Sequence, residues 1–108
     1  MEIAEQTNQD CLAVETLQQL LSTNKTNLIV IDVRSPEEYA ESHIPAAINI
    51  PVDSLANSLN EIAKDRQIVT VCAKGGGRSA SASALLKKLG YKNVHYLCGG
   101  TLGWYSTL

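Results

Sequence analysis

The stretch Ile68-Val69-Thr70-Val71-Cys72-Ala73-Lys74-Gly75-Gly76-Gly77-Arg78-Ser79 joins an apolar run to a cysteine, three glycines and an arginine. An Ala-, Ser- and Leu-rich segment follows as far as Leu89, so the pattern predicts a strand, a glycine loop and a helix. In parallel α/β folds such a turn lies at the carboxyl edge of the sheet, where ligands bind. Consecutive glycines permit positive φ, so successive N–H groups can turn into one anion-binding concavity. These donors and the helix N-terminus predict a lowered pKa for the Cys72 thiol.

Composition narrows the classes of protein and partner. The chain has 108 residues, which suits one domain, and its 44% hydrophobic and 19% charged fractions are those of a soluble globular protein. A net charge of −2 gives no reason to expect a nucleic acid or an anionic membrane as a partner. Any attraction for anions is therefore local and points to Lys74 and Arg78. We expect the protein to act as a monomer.

The cysteines bear on the cellular compartment of the protein and on whether it binds a metal. Three cysteines without a signal-peptide pattern do not suggest a disulfide framework, and a reducing cytoplasmic location suits a reactive thiol. The cysteines lack CxxC or His/Cys spacing, so a zinc site is not expected. We also expect no cofactor. No apolar run approaches the ~20 residues that span a bilayer.

Strands and helices alternate along the chain. Residues 1–10 are polar and without a period, and are interpreted as a flexible leader, whereas residues 11–108 are predicted to form one α/β domain with a parallel sheet. The predicted strands are Cys11–Val14, Leu28–Val33, Ala47–Ile50, Gln67–Val71 and Asn93–Leu97. The predicted helices are Glu15–Leu21, a short helix after Ser35, one that opens at Asp53 or Ser54, Arg78–Leu89, and a terminal helix around Leu102, Trp104 and Leu108.

Ser35-Pro36-Glu37-Glu38 is a helix start. Ser35 can act as the N-cap, Pro36 fits the first helical position, and Glu38 completes the S-x-x-E capping box. The residue before Pro45 avoids the α region, which keeps this helix short.

The loop chemistry suits attack on a tetrahedral oxyanion. The amides of residues 73–77 and the Arg78 guanidinium would hold the oxygens while the Cys72 thiolate lies below the central atom. The loop contains no Asp, Glu or His that could act as a general acid. Transfer of sulfane sulfur from thiosulfate needs no proton donor, whereas cleavage of an alkyl phosphate ester benefits from one. The loop therefore favours sulfur transfer through a cysteine persulfide.

Two separated signatures carry a resemblance to a family. The first is Asp32-Val33-Arg34-Ser35-Pro36-Glu37-Glu38-Tyr39, continued by residues 43–51, and the second runs from Val71 to Ser79 and is followed by Gly99-Gly100 and Gly103-Trp104. Together they resemble the single-domain rhodaneses (thiosulfate sulfurtransferases) over about residues 11–108. The resemblance implies a rhodanese-like fold, with a central five-stranded parallel sheet flanked by helices on both sides. It also implies Cys72 as the persulfide carrier, a small anionic donor such as thiosulfate, and cyanide or a thiol, including a protein thiol, as acceptor.

The loop is longer than in most of that family. Five residues separate Cys72 from Arg78, which makes a seven-residue loop where six is usual. Seven-residue loops are typical of the rhodanese-fold phosphatases and arsenate reductases, so these activities are an alternative. A third alternative is a sulfur-carrier or binding module with little turnover of its own. The predicted substrate-binding residues are Ala73, Lys74, Gly75, Gly76, Gly77 and Arg78.

Four further residues have competing interpretations. A cation at a helix N-terminus is unfavourable with the helix dipole, so Arg78 is expected to bind a ligand or a loop carbonyl rather than only pair with an acid. Asp32 and Arg34 follow a buried strand and are expected to form a structural ion pair, with a role behind the loop as the alternative. Cys98 ends the last strand at the same sheet edge, so it is either a packed thiol or a resolving thiol for Cys72.

Overall fold

Five parallel strands form one sheet in the order β1-β5-β4-β2-β3. The computed structural model describes residues 11–23, 27–59 and 62–107. The strands are β1 (Cys11–Leu12), β2 (Leu28–Asp32), β3 (Ala47–Asn49), β4 (Gln67–Val71) and β5 (Val94–Leu97). The helices are α1 (Val14–Thr23), α2 (Pro36–Glu41), α3 (Gly77–Lys88) and α4 (Gly100–Thr107), with a 3₁₀ helix at Val52–Ser58.

Apolar side chains cover both faces of the sheet. Along β2, Val30 belongs to a cluster on one face and Ile31 to a cluster on the other, because successive side chains of a strand point to opposite sides. The first cluster includes Leu17 of α1 and Trp104 of α4, and the second includes Leu86 of α3. The five-stranded parallel sheet with helices on both sides, predicted from the sequence, is therefore confirmed.

Most predicted elements agree with the structure within two residues. The exception is the segment after Pro51, where the expected helix is the 3₁₀ helix Val52–Ser58. Its start is set by backbone bonds, since the Val52 N–H donates to the Val33 carbonyl and the Ser54 N–H to the Pro51 carbonyl. The predicted leader and Leu108 lie outside the described residues.

The β2–β4 boundary is where the chain connections diverge. β2 leads through α2 to β3 on one side, and β4 leads through α3 to β5 on the other. In open α/β sheets ligands bind in the crevice at such a switch point, beyond the carboxyl ends of the strands. β2 ends at Asp32 and β4 at Val71, so the residue that follows β4, Cys72, lies at this place.

The structure joins Cys11 to Cys98 in a disulfide, which the sequence interpretation did not expect. β1 pairs with β5 in the register Cys11↔Tyr96 and Leu12↔Leu97, and the Cys98 N–H donates to the Leu12 carbonyl. This pairing puts the Cα atoms of Cys11 and Cys98 5.1 Å apart, within the range that a disulfide spans. Adjacency of the first and last strands is a property of the topology and has no signature in the spacing of the cysteines.

None of the described helices is long and apolar enough to cross a membrane. The cytoplasmic location stays a prediction.

The disulfide predicts a redox dependence of stability. It closes a loop with a sequence separation of 87 residues, so reduction is expected to lower the free energy of unfolding by about 2–4 kcal/mol, because the unfolded chain regains conformational freedom. Urea unfolding followed by fluorescence of the single tryptophan, Trp104, with and without a reductant measures this change.

The matched control is Cys11→Ser, which retains Cys72 but cannot form the bond. Its stability is expected to be the same with and without reductant. A wild-type protein whose unfolding is insensitive to reductant would contradict the pairing.

Candidate active site

Cys72 directly follows β4, and its sulfur points into the glycine loop. The residue is only 4% exposed. Its sulfur lies 3.0 Å from the Gly76 carbonyl oxygen and 3.1 Å from the Ser79 hydroxyl oxygen. Ser79 is completely buried in the first turn of α3, and its hydroxyl also lies 3.2 Å from the Gly76 carbonyl. The thiol can donate to the carbonyl, and the hydroxyl can donate to a thiolate.

These contacts lower the pKa of the Cys72 thiol. Burial raises the pKa, but hydrogen bonds from the Ser79 hydroxyl and from the N–H groups of Ser79, Gly75 and Gly76 lower it by more. The positive end of α3 favours the same ionised form. The lowered pKa predicted from the sequence is therefore confirmed, and Ser79 supplies the largest favourable contribution.

The N-terminus of α4 holds the loop from behind. The Thr101 N–H donates to the Cys72 carbonyl at 2.9 Å, and the Leu102 N–H to the Ala73 carbonyl at 3.0 Å. Gly100 has φ +60°, and a Cβ on it would lie 2.7 Å from the Ala73 carbonyl oxygen. Gly75 has φ +83°, and a Cβ there would lie 2.8 Å from the Leu97 carbonyl oxygen. The approach of these two backbones therefore requires glycine on both sides.

A cavity of about 410 Å³ opens over this loop. Its lining residues are Cys72, Ala73, Lys74, Gly76, Gly77 and Arg78. Lys74 is exposed, whereas Gly75 lies against the Gly99-Gly100 turn and is absent from the lining. The structure thus brings Cys72 and five of the six predicted substrate-binding residues around one space.

Arg78 makes the contact with an acid that the sequence interpretation held as the alternative, whereas its binding to a ligand stays a prediction. Its guanidinium forms a bidentate ion pair with Glu38 of α2, with Nη1–Oε1 at 2.8 Å and Nη2–Oε2 at 3.2 Å. The expected partner was a ligand or a loop carbonyl. The N-terminal turns of α2 and α3 meet at the carboxyl edge of the sheet, and this tertiary contact, 40 residues apart in sequence, provides an acid instead.

Glu38 therefore has two functions. Its N–H donates to the Ser35 hydroxyl oxygen at 3.2 Å, and its carboxylate accepts a hydrogen bond from the Ser35 N–H at 3.0 Å, as the capping box predicted. The same carboxylate binds Arg78. The side-chain hydrogen bond from Arg78, together with those from Ser35, lowers the pKa of Glu38 to about 2. The carboxylate is consequently ionised at neutral pH.

Asp32 and Arg34 form the predicted structural ion pair. Arg34 Nε lies 3.0 Å from Asp32 Oδ1 and Nη2 lies 2.8 Å from Oδ2, with both residues buried. Arg34 Nη2 also donates to the Ser42 carbonyl at 2.7 Å. The pair therefore ties the end of β2 to the end of α2, and α2 in turn carries the glutamate that binds Arg78.

The sequence interpretation left open that Cys98 acts as a resolving thiol for Cys72, but in the structure Cys98 is bonded to Cys11. Cys72 is the free cysteine. In this state Cys98 has no thiol with which to attack a modified Cys72.

Ser79 and Glu38 are the two site residues that the sequence interpretation did not select. The signal for Ser79 was a hydroxyl residue in the first turn of the helix that follows the cysteine loop. The signal for Glu38 was the capping box, which placed its carboxylate at a helix N-terminus near the sheet edge. Its contact with Arg78 required the arrangement of the two helices.

Comparison with known proteins places these features in a family. The family described as the Rhodanese-like domain matches residues 13–107. A sulfurtransferase of Allochromatium vinosum is 37% identical over 90 residues, which cover 83% of this chain and 82% of that protein. A candidate sulfur carrier protein of Bacillus subtilis, YrkF, is 31% identical over 93 residues, which cover 86% of this chain but only 49% of that protein. Among solved structures, a human single-domain sulfurtransferase, TSTD1, superimposes with a TM-score of 0.83 at 26% identity, over 92% of this chain and 97% of that one.

Removal of the Ser79 hydroxyl is expected to raise the pKa of Cys72. In Ser79→Ala the thiolate loses its largest stabilising hydrogen bond while remaining buried, so its alkylation by iodoacetamide at pH 7 slows and the pH–rate profile moves to higher pH. Ser83→Ala is the matched control, because Ser83 is also buried in α3 but its hydroxyl has no hydrogen-bond partner among the described residues. Identical profiles for Ser79→Ala and wild type would contradict this role.

The loop is also expected to tolerate alanine at one glycine and not at another. Gly75→Ala combines positive φ with backbone overlap and is expected to destabilise the fold by roughly 1–3 kcal/mol or more. Gly76→Ala is expected to change stability by no more than about 0.5 kcal/mol, because φ is −146° and no atom lies within 4 Å of the added Cβ. Urea unfolding of both variants tests the difference, and equal losses would be the contrary result.

Proposed function

The chain belongs to the rhodanese family, and we propose that it is a sulfurtransferase that carries sulfane sulfur as a persulfide on Cys72. The proposed donor is thiosulfate or a related persulfide or polysulfide. The proposed acceptor is a small thiol, a protein thiol or, in an assay, cyanide.

The observation that supports this proposal best is the setting of the Cys72 thiol. Its pKa is lowered by donors of the loop, so a larger fraction is thiolate at neutral pH, and the thiolate is the nucleophile. Cys72 lines a cavity of about 410 Å³, and Lys74 and Arg78 line the same cavity. An anionic donor is attracted by these side chains and meets the nucleophile at the bottom of the cavity.

The first half-reaction forms one bond and breaks one. The Cys72 thiolate attacks the outer sulfur of thiosulfate, the sulfur–sulfur bond breaks, and sulfite leaves with the electron pair. The product is the Cys72 persulfide, which the N–H groups of the loop can stabilise as an anion. In the second half-reaction the acceptor attacks the outer sulfur of this persulfide, and the Cys72 thiolate is restored. Neither step requires a proton donor.

Among the residues that the structure describes, the acid that contacts the loop is ionised, and this argues against the phosphatase alternative. Hydrolysis of an alkyl phosphate ester benefits from an acid that protonates the leaving oxygen. The carboxyl group that meets the loop arginine is Glu38, and with a pKa of about 2 it is ionised at neutral pH. The seven-residue loop remains the reason to test phosphate and arsenate as substrates.

The carrier alternative shares the persulfide and differs in turnover. The similarity to YrkF, described as a candidate sulfur carrier, is the reason to consider it. In that case Cys72 would hold the sulfur until a protein partner removed it. A cytoplasmic location would supply small thiols for either form of sulfur transfer, but its reducing conditions would keep Cys11 and Cys98 as thiols instead of the disulfide of the structure.

Incubation with thiosulfate is expected to add one sulfur atom to Cys72, a mass gain of about 32 Da that a reductant removes. Turnover with cyanide should follow, and Cys72→Ser should abolish both, because a hydroxyl is far less nucleophilic and forms no persulfide. Mass spectrometry and a thiocyanate assay measure the two results.

Parallel assays separate the alternatives. Turnover of an aryl phosphate or of arsenate with a thiol, without an adduct from thiosulfate or a persulfide, would refute the sulfurtransferase proposal. A stable adduct with little turnover would favour the carrier form. Persulfide formation in Cys72→Ser would remove this cysteine from the mechanism.

A further inference from the structure

The carboxylate of Glu38 occupies the donors with which Arg78 would bind an oxyanion. Its two oxygens match the two guanidinium nitrogens at 2.8 and 3.2 Å. Arginine uses the same bidentate geometry for phosphate groups and carboxylates, and sulfonate oxygens can take the same positions. A substrate oxyanion and Glu38 therefore compete for one side chain.

Glu38 is held in place for this competition. Its Oε1 accepts hydrogen bonds from the Ser35 N–H at 3.0 Å and from the Ser35 hydroxyl at 3.1 Å, while its own N–H is part of α2. A carboxylate fixed by a capping box loses little conformational freedom when it binds an arginine, unlike a free surface glutamate. It therefore competes with incoming anions more effectively than a flexible acid would.

The pair also reduces the charge of the cavity. Lys74 and Arg78 contribute +2, and adding the −1 of Glu38 leaves +1, while the buried Arg34–Asp32 pair adds nothing. The pKa of Glu38, at about 2, keeps this carboxylate charged throughout the pH range of an assay. Because the Coulomb energy scales with the product of the charges, the negative charge of Glu38 weakens the attraction of a doubly charged anion twice as much as that of a singly charged one.

We propose that Glu38 is a specificity-determining residue that weakens the binding of doubly charged oxyanions, such as thiosulfate, sulfate, phosphate and arsenate, and so favours a singly charged organic persulfide as the sulfur donor. This inference names the donor class for the proposed function and rests on it. The persulfide R–S–S⁻ carries one charge and no oxygen for Arg78, so it does not have to displace Glu38. Its outer sulfur is transferred to the Cys72 thiolate, and the thiolate R–S⁻ leaves with the electron pair.

Glu38→Gln tests the proposal with little change of shape. Glutamine is accepted in a capping box, so α2 keeps its start, but the amide has no charge to oppose an oxyanion or to hold Arg78. In Glu38→Gln, Arg78 is free to bind thiosulfate, so the KM for thiosulfate should fall. The expected decrease is about two- to five-fold, because an exposed ion pair contributes a free energy of that size. The KM for a small alkyl persulfide with an uncharged chain should change much less, so the ratio of the two KM values shifts.

Two matched variants separate this effect from bulk charge and from helix capping. Glu37→Gln removes the same charge from the neighbouring exposed position of α2 and should leave the ratio near the wild-type value. Ser35→Ala removes the hydroxyl of the cap but keeps the charge of Glu38 and its bond from the Ser35 N–H, so it should reduce stability and shift the ratio by less than Glu38→Gln does. Equal shifts in Glu37→Gln or Ser35→Ala would overturn the proposal.

A binding assay tests the inference independently of turnover. Sulfate should protect Cys72 from iodoacetamide, with half-protection at a concentration about two- to five-fold lower in Glu38→Gln than in wild type. Unchanged half-protection would refute the role of Glu38, even if sulfur transfer is observed. Failure of both donors to load Cys72, with a clear shift in half-protection, would instead refute the proposed function and leave the selectivity for oxyanions established.

Discussion

The close approach of two glycine turns is the constraint on which the site depends. Gly75 of the Cys72 loop lies against the Gly99-Gly100 turn that follows β5, and Gly100 lies against Ala73. A Cβ at either Gly75 or Gly100 would overlap backbone atoms of the other segment. Only this proximity allows the first N–H groups of α4 to bind the carbonyls of Cys72 and Ala73. As a result, those carbonyls point toward α4, and other N–H groups of the loop face the Cys72 sulfur.

The same geometry explains why the site has so little net charge. The thiolate is stabilised by backbone dipoles and one hydroxyl rather than by a cation in contact with it. Arg78 lies in the first turn of α3, but its guanidinium binds Glu38, and the Arg34 guanidinium binds Asp32. Among the described residues, two of the three positive side chains near the carboxyl edge are thus matched with acids. In the proposed function, backbone dipoles would activate the Cys72 thiolate, and the remaining charge of Lys74 would attract the anionic donor.

Much of the fold was predictable because its strands are buried on both faces. The runs Leu28–Asp32 and Gln67–Val71 are mostly apolar, which indicates a parallel sheet, and the capping box marked the first residue of α2. Cys72 was identified because a thiol before three glycines is a local pattern. Strand order is not local: the Cys11–Cys98 bond follows from β1 lying beside β5, and the Glu38–Arg78 pair follows from two helix N-termini meeting at one edge. These two contacts join residues that are 87 and 40 positions apart, and they cannot be recognised from the spacing of side chains in the sequence.

The disulfide also bears on how a persulfide would be discharged. Cys98 is bonded to Cys11, so the free thiol of the described chain is Cys72. While the Cys11–Cys98 bond is intact, a persulfide on Cys72 has no second thiol in the same molecule that could attack it, and its outer sulfur has to pass to an acceptor from outside. That acceptor must approach through the cavity over the loop, past Lys74 and the Glu38–Arg78 pair. The ion pair that would select the donor in the first half-reaction therefore also stands in the path of the acceptor in the second. An acceptor thiolate, with a single charge and no oxyanion, meets the same condition as a persulfide donor, so one charge arrangement would suit both halves of the cycle.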